Sequence, residues 1–185
     1  WFGDHPNSQV IHNAPDFNII NNADSSVWDR KFGKDVEVWS CASNWRPHKR
    51  LYENIRYFLE HASKDAVFAV AGGLGMDDAK KLPIDDRIYL MGDLDYSSLL
   101  SLYKRSSTFV HLAYLDHCPN VVVDAQAAGC HVICSSTGGT SEIITKGTVI
   151  CEKDWDYSPI RLYEPPVMNF ENKITKKNGK IYVEI

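Results

Sequence analysis

The sequence lacks the marks of a membrane-spanning or nucleic-acid-binding chain. No apolar run approaches the roughly 20 residues that a helix needs to cross a bilayer, and no signal-peptide pattern stands at its start. Basic residues (20) are fewer than acidic residues (24), so the net charge is −4 and bulk charge would not attract a long polyanion. A phosphate group could therefore bind only at a local cluster of basic residues.

The cysteines and histidines also lack the spacing of a metal site. There is no C-x-x-C, no H-E-x-x-H and no pairing of Cys with His at zinc spacing. The five cysteines are odd in number, and Cys41, Cys134 and Cys151 lie in or beside apolar, strand-like runs. This pattern predicts buried free thiols, a reducing cytoplasmic location and no structural metal.

Short apolar runs alternate with amphipathic segments along most of the chain. Its 185 residues, 44% of them apolar, are enough for one domain with a buried core. The pattern predicts strands at 36–42, 66–71, 87–91, 108–114, 131–135 and 147–151, and helices at 50–62, 97–104, 120–128 and 140–144. Strands that are apolar on both faces and alternate with helices predict an α/β fold with a doubly wound, Rossmann-like parallel sheet.

The two ends of the chain depart from this alternation. Residues 1–35 are rich in Asn and Asp and contain only a short apolar piece. Three prolines within 155–166 predict an extended strap, and Asn178-Gly179 predicts a β-hairpin over 173–185. We therefore expect a single domain over 1–185, with its core at about 9–152 and a C-terminal extension over 153–185.

The loop after the first strand, 43–50, collects basic residues at the start of a helix. It brings Arg46, Lys49 and Arg50 together, and cations beside free backbone N–H groups can hold a diphosphate. The alternative is a solvated helix start with surface charges.

Two other motifs have simpler explanations than ligand binding. The glycines of 72–75 resemble the start of a dinucleotide motif, but Asp78 stands where the third glycine belongs, which favours a tight turn. Asp93 and Asp95 form the D-x-D of some metal-dependent transferases, yet Asp95 precedes a helix and is suited to cap it.

The largest group of candidate binding residues surrounds the predicted helix at 120–128. Asp116 ends a strand, Asp124 follows eight residues later in the second helical turn, and the helix N-terminus near Asn120 and Val121 lies between them. Two carboxylates that accept sugar hydroxyls would then flank a phosphate seat. Capping plus one solvated acid is the alternative.

The next loop, 135–142, is small and polar and opens another helix. Gly138 and Gly139 allow a ligand to approach the backbone closely. Thr140 or Ser141 is expected to cap the helix.

The order of these motifs resembles the C-terminal, nucleotide-binding domain of retaining glycosyltransferases with the GT-B fold, of the group 1 type. The shared pattern is an acid, seven residues, a second acid, A-x-A-x-G, an apolar strand and a G-G-x-x-E turn, which here spans 116–142. The segments 11–16 and 46–50 resemble the family's entry to this domain and its R…K phosphate loop. The resemblance covers about 9–152.

The resemblance implies a role for each matched residue. Asp124 would hold the ribose of the donor nucleotide, Asp116 would lie by the transferred sugar, and Lys49 would bind the diphosphate. Asn44 stands at the place of the family's usual Arg, for which Arg46 would substitute. The catalytic residues predicted in this way are Asp116, Lys49 and Arg46, and the substrate-binding residues are Asn44, Asp93, Asn120, Val121, Asp124, Gly138 and Gly139.

Two departures from the family bear on the transferred sugar more than on the nucleotide. Both acids are Asp where the family usually has Glu, which is one methylene longer. Pro119 stands in place of a common Gly and removes a backbone N–H.

The resemblance implies transfer of a hexose from a UDP or GDP sugar, with no metal or other cofactor. The acceptor would bind on a second Rossmann domain, which 185 residues beginning at Trp1 cannot also contain. We therefore expect this chain to be the donor-binding half of the enzyme and to be inactive alone. The N-terminal acceptor-binding domain would be fused to it or be a separate chain, and it could reach an acceptor at a membrane surface. Nucleic acid is not an expected partner. The alternatives are half of a GT-B-type sugar-nucleotide epimerase and a non-catalytic nucleotide-binding or interaction module.

Overall fold

The computed structural model describes residue 9, residues 11–75, 79–114 and 116–151, and the backbone of 173–177 and 180–184. The strap predicted at 155–166 and the Asn178-Gly179 turn lie outside these residues. No helix among the described residues is long and apolar enough to cross a membrane.

A six-stranded parallel sheet forms the centre of the structure. Its strands are β1 (Val38–Ala42), β2 (Val67–Ala71), β3 (Ile88–Gly92), β4 (Thr108–His111), β5 (His131–Ser135) and β6 (Gly147–Ile150). They lie in the order β3-β2-β1-β4-β5-β6, and every pair is parallel. This is the doubly wound, Rossmann-like order, so the predicted fold class is confirmed.

Helices cover the sheet. They are α1 (Phe17–Asn22), α2 (Asp29–Phe32), α3 (Leu51–His61), α4 (Tyr96–Arg105), α5 (Asn120–Ala127) and α6 (Thr140–Ile143), with 3₁₀ turns at Ser25–Trp28 and Pro47–Lys49. The bounds predicted for α3 to α6 differ from these by one residue at most at either end.

Two apolar cores lie on opposite faces of the sheet because alternate side chains of each strand point to opposite sides. In β1, Val38 packs in one core with α1, α2, α4 and α5, whereas Trp39 packs in the other with α3. The α3 core is aromatic: the rings of Phe58 and Phe68 stack with centroids 4.9 Å apart. Burial on both faces explains why the strand sequences are apolar throughout.

The described cysteines are all free thiols. Cys41 and Cys134 are buried in the sheet, as predicted, and Cys130 is buried as well. Cys151 is only half-buried because it follows the edge strand β6.

The strand predicted at 108–114 ends three residues early, at His111. Beyond it, the Leu112 N–H donates to Asn54 Oδ1 (2.9 Å) and the Tyr114 N–H donates to the His48 carbonyl oxygen (2.8 Å). These two backbone N–H groups bond to α3 and to the loop after β1 instead of to a neighbouring strand. The end of β4 is thereby fixed to that loop.

Helices α1 and α2 were not expected from the sequence. They bury Ile20 and Phe32 against the sheet. Arg105 at the end of α4 fixes this segment by pairing with Asp29 (3.0 Å) and donating to the carbonyl oxygens of Gly33 (2.6 Å) and Val36 (2.9 Å). Residues 17–36 therefore belong to the domain.

The predicted C-terminal hairpin strands are present. β7 (Lys173–Lys177) and β8 (Lys180–Glu184) pair antiparallel, with Lys177 opposite Lys180. The two residues between them are the predicted Asn-Gly pair.

Gly72, directly after β2, has a φ of +108°, and a Cβ there would overlap the carbonyl oxygen of Ser43. Gly129 has a similar φ of +104° but open space around it. We expect Gly72→Ala to lower the free energy of unfolding by about 3 kcal/mol or more, through backbone strain plus overlap, and Gly129→Ala to lower it by about 1–2 kcal/mol. Urea denaturation measures both; equal losses would contradict the close approach of the β1 and β2 loops.

Candidate functional site

The loops after β1 and β4 meet where the strand order reverses. Lys49 Nζ pairs with Asp116 Oδ2 at 2.5 Å, and His111 Nε2 lies 2.9 Å from the same oxygen. In a doubly wound sheet this crevice, at the carboxyl ends of the strands, is where ligands bind. The structure thus brings together Lys49 and Asp116, two predicted site residues that lie 67 positions apart in the sequence.

Lys49 is positioned by its backbone. The 3₁₀ turn Pro47–Lys49 ends at Arg50, which has a φ of +53°. The buried amide of Asn54 then donates to the carbonyl oxygens of Lys49 (3.1 Å) and Arg50 (2.8 Å) while it accepts from Leu112. One side chain therefore holds the Lys49 loop to the end of β4.

Arg50 is not a surface cation of this loop. It is 3% exposed, its Nη1 lies 3.4 Å from the carbonyl oxygen of Leu112, and its guanidinium lies over the Tyr114 ring at 5.0 Å. The expectation that Arg50 joins Arg46 and Lys49 in binding phosphate is therefore wrong, because the left-handed backbone at Arg50 turns its side chain into the protein.

Asp116 is an anion held by two donors. Burial alone would raise the pKa of Asp116, but the hydrogen bonds from His111 and Lys49 outweigh it and hold that pKa well below its usual range. Burial lowers the pKa of His111 despite the neighbouring carboxylate. We infer a neutral imidazole that donates its Nε2–H to ionised Asp116.

The loop after β5 joins the same group. The Gly139 N–H donates to the carbonyl oxygen of Asp116 at 2.7 Å, and a Cβ on Gly139 would overlap the carbonyl oxygen of His117. Gly139 itself is the N-cap of α6, with no side-chain cap. The capping predicted for Thr140 or Ser141 is therefore wrong: contact with the β4 loop, rather than a hydroxyl, shapes this helix start.

A second group of predicted residues lines a cleft of about 530 Å³ beside the N-terminus of α5. Asn120, Val121 and Asp124 form one side of it, and Asn13 and Tyr96 also line it. Asn13 Nδ2 donates to Asn120 Oδ1 at 2.6 Å, so the segment before α1 is held against the start of α5. Burial raises the pKa of Asp124, which is 7% exposed, and the nearby Tyr96 hydroxyl opposes this shift.

The remaining predicted residues lie toward β2 and β3. Asn44 and Arg46 are exposed, and Arg46 lines a separate cleft of about 210 Å³ with Trp45 and Leu74. Asp93 is exposed after β3, and its Oδ2 would lie 3.1 Å from a Cβ on Gly73. These residues follow β1 and β3, at the same edge of the sheet as the Lys49–Asp116 pair, but no contact joins Arg46 to that pair among the described residues.

The D-x-D motif of Asp93 and Asp95 forms no metal site in the part of the chain that the structure describes. Asp95 caps α4, as predicted, by accepting from the Ser98 N–H (2.9 Å) and hydroxyl (2.7 Å). Across the described residues, no three His, Cys, Asp or Glu side chains lie close enough together to hold a metal ion.

Three functional candidates were missed from the sequence: Asn54, Tyr96 and His111. Asn54 could have been noticed as a polar residue on the apolar face of α3, and His111 as a polar residue within a buried strand. Tyr96 carries no such signal, because an aromatic residue at a helix start is ordinary.

Comparisons with known proteins agree with this arrangement. The family model described as "Glycosyl transferases group 1" matches residues 35–157. No curated protein sequence matches the chain.

Several solved structures share the fold. Anabaena Alr3699/HepE in complex with UDP-glucose is 19% identical with a TM-score of 0.66, over 77% of this chain and 43% of that chain. Sucrose-phosphate synthase from Thermosynechococcus elongatus is 17% identical with a TM-score of 0.61, over 75% and 38%. WaaG, a glycosyltransferase involved in lipopolysaccharide biosynthesis, is 19% identical with a TM-score of 0.55, over 71% and 38%. The chain thus spans less than half the length of these proteins.

Asn54→Ala should destabilise the protein by about 2–4 kcal/mol, because it leaves the buried Leu112 N–H and the half-buried Lys49 carbonyl oxygen without their side-chain partner, whereas the Arg50 carbonyl oxygen keeps the Asn54 backbone N–H. Asn22→Ala on α1 is the matched control, because this Asn is exposed and its side chain donates to the Asn18 carbonyl oxygen within its own helix; it should change stability by about 0.5 kcal/mol or less. Chemical denaturation of both variants measures the difference. Similar small losses would show that Asn54 does not hold the two loops.

The lowered pKa of His111 predicts a pH dependence of stability. The unfolded chain takes up a proton near its ordinary pKa of about 6.5, whereas the folded state resists protonation. The stabilisation that neutral His111 gives the folded state is therefore complete above about pH 7. It is lost as the pH falls toward the pKa of His111 in the folded state. His111→Gln, which keeps an N–H donor, should flatten the fall in unfolding free energy between about pH 7 and 5. An unchanged slope in that variant would contradict the neutral, buried imidazole.

Proposed function

The chain belongs to the glycosyl transferases group 1 family, and we propose that it is the donor-binding half of a retaining transferase that takes a hexose from a nucleotide-diphosphate sugar. The observation that carries the proposal is the meeting of Lys49 and Asp116 at the switch point of the sheet, next to the cleft that holds Asp124. HepE, which shares this fold over 43% of its chain, was solved in complex with UDP-glucose, and this is consistent with the proposal.

The diphosphate would lie between Lys49 and the N-terminus of α5. The Lys49 side chain is 19% exposed, so its ammonium group is accessible at the crevice while it also pairs with Asp116. The first N–H groups of α5, at Asn120 and Val121, have no partner within the helix and carry partial positive charge. Gly138 would let the phosphates approach the backbone of the neighbouring loop, whereas Gly139 is packed against His117 and donates its N–H to Asp116. Arg46 or Asn44 would add a polar contact from the β1 loop.

The nucleoside would extend from there along two loops. Asp124, in the second turn of α5, is placed to accept hydrogen bonds from the ribose hydroxyls. The nucleobase would lie by the backbone near Asp93, after β3. Asp116, on the other side of the α5 N-terminus, would face the transferred sugar.

These residues could support transfer without a metal ion. As the bond between the sugar and the diphosphate breaks, negative charge grows on the departing phosphate, and Lys49 and the N-terminus of α5 stabilise it. His111 keeps Asp116 ionised and oriented, so that this carboxylate can accept a sugar hydroxyl. No step here requires a cofactor.

The acceptor would bind a second domain, fused or separate. The chain spans less than half the length of the transferases that share its fold. Alone, it should bind a nucleotide sugar weakly and transfer little.

Calorimetric titration of the chain with UDP, GDP and ADP tests the proposal. At least one should bind, and Lys49→Ala and Asp124→Ala should each weaken that binding by about 1–3 kcal/mol, since each removes a charge-assisted hydrogen bond. Lys49→Ala should also reduce the salt dependence of binding. Circular dichroism shows whether each variant is folded.

Lys64→Ala and Asp65→Ala are the matched controls. Both residues are exposed in the turn before β2, at the edge of the sheet opposite the site, and should leave affinity unchanged. If none of the three nucleotides binds at millimolar concentration, the donor-binding proposal fails and a non-catalytic interaction module is favoured. If binding occurs but neither site variant weakens it, the nucleotide lies elsewhere.

A further inference from the structure

The carboxylate of Asp116 is fixed in place at both of its oxygens. Lys49 and His111 bond to Oδ2, and the His117 N–H donates to Oδ1 at 3.1 Å. The Gly139 N–H holds the backbone of the same residue. Because the side chain is largely buried and its oxygens are bonded, the carboxylate cannot turn away from a ligand without losing these bonds. Its negative charge is therefore a constant feature of the crevice.

This charge lies close to any phosphate that Lys49 binds. An ammonium group has three N–H donors, and in Lys49 one of them is directed at Asp116. Two acceptors on one tetrahedral nitrogen lie about 4–5 Å apart when both are at hydrogen-bond distance. A phosphate oxygen on Lys49 would thus lie at that distance from Asp116 Oδ2. Like charges so close together in a partly buried site repel each other strongly.

Neighbouring basic residues do little to offset this repulsion. Arg50 is buried and lies over the Tyr114 ring. Burial lowers the pKa of His48, an effect that the charge of Lys49 reinforces, so this imidazole is neutral near pH 7. Arg46 is exposed, where solvent and salt screen its charge. A phosphate is therefore drawn to the ion pair by hydrogen bonds and by the partial charge of the α5 N-terminus more than by net charge.

We propose that Asp116 is a specificity-determining residue that distinguishes the sugar donor from the nucleoside diphosphate left after transfer. The inference rests on the proposed function. In the donor, the terminal phosphate is esterified and carries one negative charge. When the bond from the sugar carbon to the phosphate oxygen breaks, the electron pair stays on that oxygen. The terminal phosphate then carries about −1.5 to −2 at pH 7. Asp116 repels this product more than the donor and so favours its release.

Calorimetric titration of the wild-type chain tests the charge effect without a variant. Whichever of UDP, GDP and ADP binds best is compared with its β-methyl ester, which lacks the second ionisation and carries no sugar. We expect the diphosphate, although it is the more anionic ligand, to bind within about threefold of the ester or more weakly at pH 7.5. A greater preference for the diphosphate would overturn the proposal.

Asp116→Asn removes the charge and keeps the size of the side chain and an acceptor oxygen. It should tighten binding of the diphosphate about tenfold and of the ester only about threefold, because the diphosphate presents about twice the charge to residue 116. Asp65→Asn, in the exposed turn before β2, removes the same charge from the chain and should change neither affinity. Circular dichroism shows whether each variant is folded.

Asp116→Glu separates charge from shape. It keeps the carboxylate and should keep the wild-type ratio of the two affinities, whereas a purely steric role would make it resemble Asp116→Asn. A loss of diphosphate affinity in Asp116→Asn, or an equal gain for both ligands, overturns the discriminating role of Asp116 while leaving the proposed function intact. A wild-type chain that binds no nucleotide overturns both.

Discussion

The reversal of strand order between β1 and β4 is the constraint on which the rest of the structure depends. Chain connections run in opposite directions from these two neighbouring strands, so the loops that follow them diverge and leave a crevice at their carboxyl ends. Lys49 enters it from one side and Asp116 from the other. The α5 N-terminus and the glycine loop after β5 follow from the same parallel winding, which places every strand end at one edge.

The charges in this crevice are arranged before any ligand arrives. Asp116 is 16% exposed, and an anion this buried needs partners. Lys49 and His111 both supply them at one oxygen, while the Gly139 N–H fixes the backbone of the same residue. The lysine is thus held at the crevice by a group of the protein itself. A preorganised cation of this kind need not reorient when a phosphate binds, which is the condition under which electrostatic stabilisation is most effective.

Sequence patterns predicted the features that depend on local chemistry. Apolar runs gave the strands, the spacing of Leu51, Ile55 and Phe58 predicted α3, and the 116–142 motif predicted which loops would carry site residues. They could not predict the direction of the Arg50 side chain, which depends on a left-handed backbone, or the link between Asn54 and β4, which joins residues 58 apart. α1 and α2, with six and four residues, are too short for periodicity to show, whereas the equally short α6 was predicted because it follows the polar Gly138-Gly139 loop of the 116–142 motif.

The most direct test of a nucleotide site at the switch point is an NMR titration of the isotope-labelled chain with UDP, GDP and ADP. The account predicts that one of them shifts the backbone amide signals of Lys49, Asn120, Val121 and Gly139 with a common saturation curve. These amides lie on three loops that are distant in sequence and adjacent only at the reversal of strand order. Shifts confined to the opposite edge of the sheet, around Lys64 and Asp65, or no shifts at millimolar nucleotide, would contradict it.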